Sequence, residues 1–287
     1  GRFTMKTISY ALGLGLVIAS AAAGLTATSA DAKPLRWASQ GDALTLDPHA
    51  QNEGPTSTMI SQMYDSLILR DASLAKIPGL ATEWSAVEPS VWEFKLREGV
   101  TFHEGQPFTA DDVVFSFNRA LSETSDFKNY VNSIEQVTKV DDFTVRITTN
   151  GPNPILPDQI TSIRIMDEEW SKEHGVETPQ DYASQEETFA VRNTNGTGPF
   201  ILTKRDPGIE TKLKINDGWW GWGITDPKTN VTEVTYTPVA NAATRVAALL
   251  SGEVDYVLDP PLQDLKRIDA QPNLKVEQIN QIRTIFY

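Results

Sequence analysis

Few residues in this chain are placed to do covalent chemistry. Its three histidines, His49, His103 and His174, are far apart, and none has a second ligand at a spacing such as His-Glu-x-x-His. Each reads as a turn or surface residue. Among the 38 Asp and Glu residues are two adjacent pairs, Asp111-Asp112 and Asp141-Asp142, of the residue type that serves general acid–base catalysis. Their settings point to structure instead. Thr109-Ala110-Asp111-Asp112 is patterned as a helix start, and Asp141-Asp142 separates two alternating runs as a turn does. Gly196-Thr197-Gly198 is not a phosphate loop, because neither Gly-Lys-Ser/Thr nor a helical pattern follows it. There is no Gly-x-Ser-x-Gly elbow. Cysteine is absent, which removes thiol nucleophiles, thiolate metal sites and disulfides. None of these patterns points to a catalytic residue, a metal or a cofactor; a hydrolase is the alternative.

The elements that would position a binding site are legible in part. Trp92 to Leu96 alternates apolar and polar residues as a half-buried strand does, and Glu98-Gly99 turns the chain. Val100 to His103 is a second short alternating run closed by Glu104-Gly105-Gln106-Pro107, so the spacing predicts a hairpin. A helix then starts at the Thr109 cap, with Val113, Val114, Phe117 and Leu121 on one face against that hairpin. Leu35 to Ala38 reads as a strand and Thr58 to Leu69 as a helix. Val137 to Thr148 reads as a second hairpin. Further on, Val234 to Thr237 reads as a strand and Ala240 to Ser251 as a helix, with Gly252 as its stop.

The N-terminal region has the pattern of an export signal. Arg2 and Lys6 precede an apolar run from Ile8 to Ile18, small residues follow, and Ala30-Asp31-Ala32 fits a small-x-small cleavage site. Residues 1–32 are expected to be removed, with 1–4 upstream of a plausible initiator at Met5. A membrane anchor is the competing reading, but Gly, Ser and Ala dilute the stretch and no basic cluster follows it. With no cysteine, this chain cannot carry a lipoprotein anchor. A free periplasmic location is therefore expected.

Composition allows a folded core: 40% of residues are hydrophobic and 22% charged. The formal charge of −13 argues against a nucleic-acid partner, which would require Lys and Arg to neutralise phosphates. Removing residues 1–32 takes away Arg2, Lys6 and Asp31 and leaves the remainder one charge more negative still.

Taken together, Pro78 to Arg119 resembles the signature region of the family 5 extracellular solute-binding proteins, the peptide, nickel and opine receptors of ABC importers. Leu44 to His49 resembles the opening segment of that family, and Tyr64-Asp65-Ser66-Leu67 its entry to a second domain. Gly196 to Leu202 resembles its return strand, with glycines permitting a tight turn. Asn216 to Gly221 and Gly252 to Tyr256 match two further family segments. The resemblance implies an α/β fold of the periplasmic binding protein type II kind (cluster C). A discontinuous mixed α/β domain I (33–67 and 189–272) would be interrupted by a hairpin-rich domain II (68–188). Domain III would be essentially missing, only its start lying in 273–287.

The resemblance also implies a function. A periplasmic receptor captures a short peptide between lobes and delivers it to a membrane permease driven by an ATPase, touching the membrane only through that permease. Nickel chelates, opines and oligosaccharides are the alternative solutes, and a sensory or chaperone role the alternative of another class. Asn52, Glu53, Gly54 and Thr56 align with a cleft-lining segment, where Glu53 would attract a cationic end. Phe127 and Tyr130 fall where the family sets an aromatic residue against the ligand. Trp220 is expected in the core, packed under the strand it precedes.

Overall fold

The computed structural model describes residues 32–279; the expected export signal up to Asp31 and the last eight residues lie outside that range. The described chain begins with β1 (Lys33–Ser39) and α1 (Gly54–Ile60), then a short strand pair, β2 (Ile68–Arg70) and β3 (Lys76–Pro78). Next come β4 (Ala81–Glu88), β5 (Val91–Leu96), α2 (Ala110–Leu121) and α3 (Lys128–Val131), then β6 (Ile134–Asp141) and β7 (Thr144–Thr149). Two short helices follow, α4 (Leu156–Gln159) and α5 (Glu168–Glu173). The chain closes with β8 (Phe200–Asp206), β9 (Glu210–Ile215), β10 (Val231–Pro238), α6 (Ala242–Ser251), β11 (Tyr256–Val257) and α7 (Leu265–Asp269).

Two sheets organise these elements. The five-stranded sheet runs β11-β1-β10-β9-β8; its β1 pairs in parallel with β10 and β11, while β9 joins antiparallel. Both faces of β1 are covered, as parallel strands require. Trp37 packs with Tyr236, Met59 and Met63 on one side, and Ala38 meets Val246 and Leu249 of α6 on the other. The four-stranded antiparallel sheet, β4-β5-β7-β6, is inserted in the chain path of the first. Its inner face presents Phe94, Val145, Ile147 and Val137 to Val113 and Phe117 of α2. On the outer face Glu93 sits opposite Arg146 and pairs with it at 2.9 Å.

Several local expectations hold at atomic detail. Thr109 caps α2 and Asp112 returns the bond to the Thr109 N–H, a complete capping box. Asn241 caps α6, and Gly252 ends it at φ 77°, a left-handed conformation that glycine adopts without strain. The hairpin at 137–148 forms as β6 and β7, with Asp141 accepting from Phe143 N in the turn.

Others are corrected. The run 100–103 does not pair with 92–96, because both edges of β5 are taken by β4 and β7. Val100 to Phe108 instead forms a tight loop closed by a bridge between Thr101 and Pro107, with Val100, Phe102 and Phe108 buried beneath the sheet. The helix expected over 58–69 begins earlier, at Gly54, and stops at Ile60. Leu67 and Ile68 go to the core of the inserted layer, and Ile68 lies in β2. Gly196 and Gly198 have ordinary φ values and are needed for close approach rather than for a turn: a Cβ on Gly196 would lie 2.0 Å from Met63 O.

The two layers are also less separate than the chain path suggests. Met166, Trp170 and Val176, on and beside α5, pack in the cluster beneath the five-stranded sheet rather than with the inserted one. Residues 273–279, where a third domain was expected to open, contain no helix or strand, and Leu274 and Val276 pack beside α6 and α7.

Candidate functional site

The loop after β1 and the segment after α2 meet at the sequence-predicted site. Asn52 Nδ2 donates to Tyr130 Oη at 3.1 Å, and Asn52 N donates to Asp126 Oδ2 at 2.9 Å. Phe127 lies beneath, its ring centroid 5.9 Å from that of Tyr130. Glu53 is the N-cap of α1 and spends Oε1 on Thr56 N at 2.7 Å. Of the six predicted residues, Asn52 and Gly54 are exposed, Glu53 is half-buried and Tyr130 is 36% exposed. A Cβ on Gly54 would meet nothing within 4 Å, so the backbone there is open to approach.

Thr56 and Phe127 differ from the other four. Thr56 is fully buried, its Oγ1 accepting from Leu44 N at 2.8 Å, and Phe127 is 4% exposed within the core of the inserted layer. These two side chains fix the loop and the platform; they do not themselves present surface. What remains outward is a hydrogen-bonding face. Asn52 Oδ1 is an acceptor and the Tyr130 hydroxyl, already accepting from Asn52, has its proton to donate.

Behind this face lies a buried ionic cluster that the sequence reading missed. Arg119, fully buried at the end of α2, makes a two-pronged pair with Asp47 at 2.6 and 2.7 Å and donates to the Val176 and Thr178 carbonyls. Burial pushes the Asp47 carboxyl up, but the charge and hydrogen bonds of Arg119 outweigh it and hold the group below its ordinary value. His49 packs against Arg119 at 3.1 Å and contacts the Arg164 carbonyl at 2.9 Å. Burial, reinforced by the Arg119 charge, lowers it to about 3. His49 is therefore a turn residue as expected, but an interior one and neutral at ordinary pH. Sequence separations of 70 and 72 residues hid this cluster; the one local signal was the Asp-Pro-His turn.

Further along, Asp65 is buried where the chain crosses between layers, and one of its oxygens accepts from Trp219 Nε1 at 3.1 Å and Trp220 Nε1 at 2.7 Å. Trp220 is half-buried against the inserted layer, with the Arg97 guanidinium 4.2 Å above its ring. It is thus a clasp between layers and not a residue packed under the strand that follows. Trp219 instead joins Trp37, Trp222 and Phe200 around an apolar cavity of about 470 Å³ on the five-stranded sheet, with Gln62 and Asp226 as polar groups on its wall. That cavity suits an apolar group, whereas the Asn52–Tyr130 face suits a polar one.

Among the described residues no three His, Asp or Glu side chains gather to hold a metal ion, and no helix is long and apolar enough to cross a membrane.

Comparison with known proteins agrees with this architecture. Residues 76–287 match the sequence model of the bacterial extracellular solute-binding proteins, family 5, middle region. A probable peptide ABC transporter periplasmic-binding protein, y4tO of Sinorhizobium fredii, is 28% identical over 94% of this chain and 51% of its own length. The dipeptide-binding protein of Escherichia coli K12 is 28% identical over 93% of this chain and 51% of its own. Among solved structures, the binding protein MoaA of A. tumefaciens R10 in complex with mannopinic acid superposes with a TM-score of 0.72. It is 29% identical, with 85% of this chain and 48% of that one covered. The chain spans about half the length of the curated relatives it matches.

Proposed function

The chain belongs to family 5 of the bacterial extracellular solute-binding proteins, and from that premise we propose that it is the receptor of an ABC importer, capturing short peptides in the periplasm after export by a cleavable signal. The observation that carries this reading is the outward polar face of Asn52, Gly54 and Tyr130, set on a buried frame of Thr56, Phe127 and the Asp47–Arg119 pair. A face of one acceptor, one hydroxyl donor and open backbone recognises main-chain groups without demanding a particular side chain. Glu53, half-exposed beside it, would draw the cationic end of a peptide.

Closure of a second lobe over this face would trap the solute, and the closed form would dock on the permease. In this account residues 33–67 and 189–272 form one domain and 68–188 a second. The likeness to y4tO and to the dipeptide-binding protein supports peptides; the likeness to MoaA, solved with mannopinic acid, supports opines as the second reading.

The test is to incubate the purified protein with a mixture of di- and tripeptides, opines and neutral oligosaccharides, remove what is free, denature, and weigh what is released. Release of unaltered peptides supports the receptor. Release of cleaved products would show a hydrolase, and retention of sugars alone would contradict peptide capture.

A further inference from the structure

A cation beside Asn52 has no carboxylate in direct contact with it. Arg164 borders a polar pocket of about 40 Å³ together with Asn52, Ser57 and Ser162, and Phe127 forms part of its wall. Among the described residues the Arg164 side chain makes one hydrogen bond, Nη1 to Ser66 Oγ at 2.9 Å, and no ion pair. Three arginines with buried side chains are served differently, and half-buried Arg97, also without an ion pair among the described residues, lies over the Trp220 ring. Arg119 and Arg205 each hold a carboxylate within 2.7 Å, and Arg245 donates to the backbone carbonyls of Val239 and Ala240. Asp65 acts on the Arg164 charge from beyond ion-pair distance, and the hydrogen bonds its carboxylate accepts come from Trp219, Trp220 and Thr197 rather than from Arg164. A guanidinium that loses water without gaining an anion is costly, and its planar fork matches a carboxylate.

Size narrows the partner. A cavity of this volume takes roughly one to three waters, or the CO₂ end of a larger molecule, but no ring. Its remaining polar lining offers the hydroxyls of Ser57 and Ser162 and the amides of Asn52 and Gln51. Neither Asp126 nor Glu53 lines it, and each has one oxygen engaged, on Asn52 N and Thr56 N respectively.

We propose that Arg164, with Asn52, Ser57 and Ser162, forms a carboxylate-binding subsite, so that the captured solute carries a carboxylate seated on this guanidinium. This rests on the solute-capture reading and deepens it: peptides and opines carry such a group, and neutral oligosaccharides do not.

Acetate is the probe. In the ¹⁵N-labelled full chain, acetate is expected to shift the Arg164 Nε–Hε and Asn52 side-chain amide resonances saturably, with chloride at equal ionic strength giving no such response. Arg164→Lys and Asn52→Ala assign the two signals. Arg164→Gln is expected to weaken the Asn52 response at least about tenfold. A response absent, linear, or reproduced by chloride would overturn the subsite, as would one unchanged in Arg164→Gln. Should that variant fail to fold, the wild-type Nε–Hε response decides alone. Native mass spectrometry separates the two readings. A retained neutral sugar overturns the subsite and leaves capture standing, whereas a saturable acetate response with no solute retained supports the subsite and removes capture.

Discussion

At the scale of single residues, the fold is pinned by buried polar groups whose partners are far away in sequence. Asp47 and Arg119 are both fully buried, so removing one strands the other's charge in the interior. Asp47→Asn is expected to destabilise the fold by about 3–5 kcal/mol, seen as a lower urea midpoint with unchanged slope. His103 gives a pH test. Its Nε2 lies 3.0 Å from the Gly198 carbonyl, its Nδ1 is buried without a partner, and burial lowers its pKa to about 4. The unfolded ring accepts its proton near 6.5, so the neutral ring's contribution is complete above about pH 6.5 and declines as pH falls toward 4. His49 acts in the same direction, to about 3. Replacing His103 by Asn should reduce the pH dependence of stability between 6.5 and 4 by up to ~1.4 kcal/mol per pH unit. An unchanged slope in denaturation at pH 7 and pH 5 would show that the ring is not held neutral. None of these roles was legible from the isolated histidines, because burial is a property of the assembled layers.

Among the elements, short-range signals were read correctly and long-range ones were not. The Thr109–Asp112 box, the Asp141 turn and the Gly252 stop are local patterns, and each forms as its residues imply. Thr109→Ala is expected to cost about 1 kcal/mol, measurable by thermal or urea unfolding. The failed hairpin at 92–103 and the overextended helix at 58–69 have one cause: alternation and helical spacing say nothing of which edge is already occupied or where a chain must cross between layers. Gly196 shows the same limit. Its need for glycine comes from Met63, more than a hundred residues earlier, so Gly196→Ala should prevent normal folding, whereas Gly54→Ala, with open space around its Cβ, should leave stability nearly unchanged. Comparing soluble yield and unfolding midpoint of the two variants decides the point. The resemblance named Asn52 to Thr56 with Phe127 and Tyr130 as the candidate site, and the fold brings Asn52 and Phe127 to Tyr130. Which of those side chains face outward was not legible, and Arg164 had no sequence signal at all.

Across the described residues, the two larger sheets are joined by polar pins and not by apolar packing alone: Asp65 with two indoles, Asp112 with Glu168 N, Arg119 with Asp47 and the 176–178 carbonyls. The layers are therefore expected to unfold in one transition, with tryptophan fluorescence and far-ultraviolet circular dichroism coincident; two separated midpoints would show independent domains. Under the proposed function, such a unit would be the wall on which the solute is held. The most direct test of the central claim is calorimetric titration of the solute released from the wild-type protein into wild type, Asn52→Ala and Tyr130→Ala. Capture on this face predicts that each variant, still folded by circular dichroism, binds at least about tenfold more weakly, a loss of about 1.4 kcal/mol. Equal affinity in all three proteins would contradict it.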